Sequence, residues 1–242
     1  MGMKMIIKES LAMMYYHGYK KYNNMIGNRS LIYHAFGSKL DHDTYGISIP
    51  IDRFREHIKY LSENYRINKA IDYISHNNTS ISITIDDGYK DTLDAIEILE
   101  YFNVPVLLFI TTNFINKKNY LSDSDLRDIS KINTLSIGAH GKSHQRLGAL
   151  DYENQKKELK GSKAVLEEIL GYEINTVSFP HGSHNKDTLN LLQDLGYMHG
   201  FSSIKGINNK FTNKYLLRRS EVISTDKTED LDKKIKGYYD YY

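Results

Sequence analysis

From residue 29 onward, short β-branched or apolar runs alternate with stretches whose apolar residues recur at helical spacing, and few folds accommodate that alternation. LIYHAF (31–36), ISITI (81–85), VLLFITTN (106–113), TLSIGAH (134–140), NTVSFP (175–180), MHGFSS (198–203) and YLLRRSEVI (215–223) read as strands. Between them, Phe54, Ile58, Leu61 and Tyr65 follow Pro50 on one helical face. Leu93, Ile96, Ile98 and Leu99 mark a helix over 90–102 that Asn103-Val104-Pro105 ends. Ser122 is placed to cap a short helix through Ser130, and a charged helix over about 151–170 stops at Gly171. Further helices fall at 186–195 and near 227–238. Such alternation implies a parallel sheet with crossover helices. About seven units in 242 residues favour a barrel over an open sheet without deciding between them.

Bulk properties narrow the function. Lys and Arg number 32 against 30 Asp and Glu, scattered without a long basic block, so nucleic acid is not the expected partner. No cysteine is present, which removes disulfides and thiolate metal sites. Any metal must be held by carboxylates and by some of the ten histidines. The segment 1–28 reads as a helical extension ahead of a domain over 29–242. It is too polar and interrupted for a signal peptide, and no stretch has the length of a membrane span. Gly2 would suit myristoylation, but Ile6 stands where Ser or Thr is wanted. The expected location is cytoplasmic, and the oligomeric state is not legible.

In parallel α/β folds, ligands gather at the carboxyl ends of the strands. Asp86-Asp87, His140 and Pro180-His181-Gly182 all follow a strand. Two adjacent carboxylates at least partly buried resist ionising together, so the pair calls for a cation. His140 and His144 are four apart, and both imidazoles face one way if the segment turns helically. Two imidazoles and a carboxylate form a set that suits Zn²⁺ with positions left open. The same ligands would also take Co²⁺, Ni²⁺ or Mn²⁺.

TIDDG, HGKSH and SFPHG, in that order, resemble the three leading motifs of the polysaccharide deacetylase (NodB-homology) family, a carbohydrate esterase type. YHAFG and LGYMHGFSS look like framework segments of that family, and the likeness spans about 29–225. The resemblance implies a distorted (β/α) barrel and a metal-dependent carbohydrate N-deacetylase acting on an N-acetylated sugar or glycan precursor. Asp87, His140 and His144 match its metal ligands, and Asp86 its general base. The Pro180-His181-Gly182 loop would contact substrate, with the His181 backbone N–H as oxyanion donor. A metal can lower the pKa of a bound water from about 15.7 toward about 7, and a carboxylate neighbour can take its proton.

Two features of that family are missing. Ser178 stands where an arginine usually steadies the catalytic aspartate, so Asp86 is expected to lack its cation and to have a raised pKa. No histidine follows His199, so the late histidine that protonates the leaving amine is absent. His184, His181 and His34 are candidate substitutes for that acid. Arg218 is a candidate substrate contact, and Arg218 or Arg219 could steady Asp86. His42-Asp43 reads as surface or rim. The alternatives are a deacylase of another small amide, or a pseudoenzyme that binds sugar or metal without turnover.

Overall fold

A computed structural model describes residues 3–18, 26–41, 43–74 and 79–240; His42 lies outside them. The strands are β1 (Asn28–Tyr33), β2 (Ser80–Ile85), β3 (Val106–Ile110), β4 (Leu135–Ala139), β5 (Thr176–Ser178), β6 (His199–Phe201) and β7 (Arg219–Glu221). The helices are α1 (Met3–Gly18), α2 (Ile51–Asn64), α3 (Thr92–Tyr101), α4 (Asp123–Ile129), α5 (Tyr152–Leu170), α6 (Lys186–Asp194) and α7 (Thr228–Lys236). All seven strands pair in parallel in the order β6-β5-β4-β3-β2-β1-β7. Leu217 bridges to Phe201, and two residues later the same run joins β1. The segment 217–221 thus spans both edges of the sheet, which makes a nearly closed barrel.

Strand alternation sorts the residues into two layers. Ile81, Ile83 and Ile85 of β2, with Val106, Leu108 and Ile110 of β3, face outward into the main core beneath the helices. Phe54, Ile58 and Leu61 of α2 fill that layer from the other side. The opposite parity lines the barrel, where Leu107, Phe109, Phe201 and Leu217 form a second apolar cluster. On the β1–β2 side the lining is polar. Asn28, Ser30, Ser80 and Ser82 hydrogen-bond to one another there, all buried.

Helix ends follow local chemistry. Ser122 and Asp125 form a reciprocal capping box on α4, and Asn185 with Thr188 does the same for α6. Gly171 ends α5 in the left-handed conformation at φ 76°. The first strand is set earlier than LIYHAF implies. It begins at Asn28 and closes at Tyr33, which leaves His34 beyond its carboxyl end.

Candidate active site

Asp86 and Asp87 follow β2, His140 follows β4, and Phe179-Pro180-His181 follows β5, all at one mouth of the barrel. Asp86, Asp87, His140, His144, His181 and His34 line a cavity of about 200 Å³ there. Asp87 is at φ 76°, His144 at 59° and His181 at 57°, inside the left-handed region. The remaining non-glycine residues with positive φ among those described are asparagines; Asn, Asp and His enter this region more readily than other non-glycine types, though it is uncommon for all of them. Backbone strain of this kind, about 1–3 kcal/mol per residue, concentrates at functional sites.

The Nε2 atoms of His140 and His144 lie 3.3 and 3.1 Å from Asp87 Oδ1. Oδ1 is buried, and no hydrogen bond of acceptable geometry reaches it among the described residues. His140 Nδ1–H donates to the Ser178 carbonyl at 2.9 Å, which fixes the tautomer and turns the Nε2 lone pair toward Asp87. An orphaned carboxylate oxygen with two imidazole nitrogens fits a divalent cation, and all three ligand atoms fall within 4.8 Å of one another. Burial alone would raise the Asp87 pKa, but the imidazoles against it hold it well below the ordinary range. Burial likewise opposes a charge on His140, yet Asp86 and Asp87 raise its pKa. The two histidines do not converge through a helical turn. They meet through an irregular loop, with Gly141 at φ 68° and His144 also left-handed.

The expectation of an unsupported Asp86 is overturned. Arg219, fully buried on β7, donates Nη1–H to Asp86 Oδ1 and Nη2–H to Oδ2, both at 2.8 Å. Ser178 takes part, its hydroxyl donating to Asp86 Oδ2 at 3.0 Å. Arg219 is itself held by the Ser202 carbonyl and by Thr84 Oγ1, and its guanidinium lies 5.4 Å from the Phe109 ring centre. Burial would raise the Asp86 pKa, but the Arg219 charge and fork bring it below the ordinary value. The small side chain of Ser178 leaves room for an arginine arriving from another strand.

Arg218, one residue earlier, points the other way and donates to the Lys205 carbonyl at 2.8 Å, outside the cavity lining. Of the acid candidates, His184 also stands apart from the lining. Its Nδ1 is 2.9 Å from the Gly182 carbonyl, and its ring packs on Phe179. His34 lines the cavity, its Nδ1 buried without a hydrogen-bond partner among the described residues and its Nε2 4.0 Å from Glu221 Oε1. Pro180 is buried beside Gly141, and Gly182 packs against Ser203, so these two shape the turn that presents His181. Asp43 is on the rim as expected, its carboxylate accepting from the backbone N–H groups of 45–48.

Comparison with known proteins agrees with this geometry. The family profile described as polysaccharide deacetylase matches residues 74–200. A poly-β-1,6-N-acetyl-D-glucosamine N-deacetylase of Staphylococcus aureus is 25% identical over 262 residues, covering 98% of this chain and 87% of that protein. Among solved structures, the Streptococcus pyogenes deacetylase PplD in complex with acetate superimposes with a TM-score of 0.76 at 19% identity, over 87% of this chain and 98% of that one. BC0361, a polysaccharide deacetylase from Bacillus cereus, gives 0.76 at 21% identity over 86% and 69%.

Proposed function

The chain belongs to the polysaccharide deacetylase family, hydrolases of acetyl groups, and on that premise we propose that it removes the N-acetyl group from glucosamine residues of a glycan. One observation carries this reading: a buried, orphaned Asp87 Oδ1 faces two imidazole nitrogens, beside a second aspartate clamped by a buried arginine.

Asp87, His140 and His144 would hold a divalent metal, with Zn²⁺ the best match to the donor set. When bound, such an ion polarises the acetyl carbonyl and lowers the pKa of a water. Asp86 accepts the proton of the attacking water. Arg219 keeps that carboxylate ionised and fixed in the plane of its fork. The backbone N–H of His181 donates to the oxyanion. Its side chain is pushed toward the neutral form by burial and by the nearby His144.

The departing amine needs a proton, and of the three candidate histidines we assign that role to His34. His34 lines the cavity and its buried Nδ1 has no hydrogen-bond partner among the described residues, whereas His184 is outside the lining and engages the Gly182 carbonyl. Among the described residues the cavity lining contains no Lys or Arg, which favours a neutral sugar over an anionic one.

Acetate release from N-acetylglucosamine oligomers, with Asp86→Asn alongside, tests the reading. Turnover by the wild type and a loss of about 10²-fold or more in the variant is the expected result. Equal rates in the two proteins would refute Asp86 as base.

A further inference from the structure

The loop between the two histidine ligands is gripped from behind by a carboxylate that takes no part in the chemistry above. Glu158 lies on α5 and is 7% exposed. Its Oε2 accepts from the backbone N–H groups of Lys142 and Ser143, both at 2.8 Å, and its Oε1 accepts from Ser143 Oγ at 2.6 Å. From the opposite side, Thr112 N–H donates to the Gly141 carbonyl at 3.3 Å and Asn113 N–H to that of Lys142 at 2.8 Å. A Cβ on Gly141 would sit 3.3 Å from Glu158 Oε2 and 3.4 Å from Pro180 Cγ. The carboxylate is therefore packed directly on the turn.

Two consecutive N–H groups converging on one point form an anion-binding concavity. A buried carboxylate there makes charge-assisted bonds stronger than a neutral acceptor offers. The turn it closes ends at His144, whose φ of 59° is uncommon for a residue other than glycine, although histidine enters it more readily than most, and surrounding contacts help to hold it. The loop has no helix or strand of its own to impose that angle. Glu158 holds the backbone N–H groups of both Lys142 and Ser143, the two residues leading into His144.

We propose that Glu158 is a positioning residue for the metal centre. By clamping the 141–143 turn to α5 it sets His144 Nε2 opposite His140 Nε2 and so determines metal affinity. This rests on the reading of Asp87, His140 and His144 as ligands. Outer contacts of metal ligands typically change affinity by about 10–100-fold when removed.

The test is the Zn²⁺ dissociation constant, measured by competition with a chromophoric chelator on the full chain. The visible spectrum of the Co²⁺-loaded protein supplies a signature of ligand geometry. Glu158→Gln keeps size and polarity but removes the charge, Ser143→Ala removes only the bond to Oε1, and Glu153→Gln, on the exposed side of α5, is the control. Expected are a dissociation constant about 10–100-fold weaker in Glu158→Gln with an altered Co²⁺ spectrum, a smaller weakening in Ser143→Ala, and none in the control. A folded Glu158→Gln that binds Zn²⁺ within about twofold of wild type, a range well inside the effect expected of an outer-shell contact, overturns the proposal and leaves the ligand assignment standing. Should that variant not fold, an unchanged constant in Ser143→Ala overturns it instead. A wild type that takes up no Zn²⁺ refutes the ligand assignment and this inference together.

Discussion

At the scale of single residues, the site depends on a pairing that local motifs do not announce. Arg219 and Asp86 are 133 positions apart, and both are buried. From sequence alone Arg218 and Arg219 are equivalent. The strand period of two separates them, because Leu217 and Arg219 share the inward parity and Arg218 does not. Arg219→Lys replaces a two-pronged fork by a point charge. It is expected to lower kcat/KM by at least about tenfold, the loss tied to a bidentate contact of one to two kcal/mol or more. Asp86 must be ionised to act, and Arg219 depresses its pKa. Weakening that contact raises the pKa, so the acid limb of the pH–rate profile should move to higher pH. An unmoved limb would show that Arg219 does not tune the base. The assignment of His34 is tested by leaving group. His34→Asn should slow hydrolysis of an N-acetyl sugar strongly while sparing an aryl acetate, whose leaving group needs no proton. An equal loss on both substrates would argue for a general structural role.

At the scale of elements, most of the barrel was legible, since every expected strand and helix from α2 onward is found with shifted ends. Periodicity reports burial, and here the burial layers are regular. The irregular loops were not legible. HGKSH invites a helical turn, but positive φ at Gly141 and His144 breaks it, and the contact with Glu158 that holds the loop comes from 15 to 16 residues away. Gly138 shows how tightly β4 is placed. A Cβ there would lie 2.4 Å from Thr176 Oγ1 and 2.7 Å from the Phe109 ring. Gly138→Ala therefore forces β4 away from its neighbours, with an expected cost of about 1–3 kcal/mol from overpacking. Because β4 carries His140, metal affinity should fall in the same variant. Urea unfolding together with Zn²⁺ binding checks both, and an unchanged midpoint would contradict the packing.

At the scale of the whole molecule, the segment after α7 is tied both to β1 and to α1. Arg29 of β1 forms a two-bond fork with Asp240, and Tyr16 of α1 stacks on Tyr238. His57 of α2 joins β1 to the turn before α7. Its Nδ1 lies 3.3 Å from the Tyr33 hydroxyl and its Nε2 3.1 Å from the Asp226 carbonyl. Burial holds the His57 pKa below its ordinary 6.5, so the fold favours the neutral ring. Below pH 6.5 the unfolded chain binds the proton more readily, and stability declines as pH falls toward the folded pKa. Urea midpoints at pH 8 and 5.5 should differ less for His57→Gln than for the wild type. The same pH dependence in both proteins would exclude His57 as its source.

We infer that the two aspartates and two histidines at the barrel mouth form a metal-dependent hydrolytic centre. Metal content per chain, by elemental analysis after dialysis without chelator, tests it most directly, with Asp87→Ala and His140→Ala alongside the wild type. Close to one transition metal per wild-type chain, lost from both variants, is the expected result. A wild type that holds no metal even after Zn²⁺ is supplied, or variants that retain it, would contradict the claim.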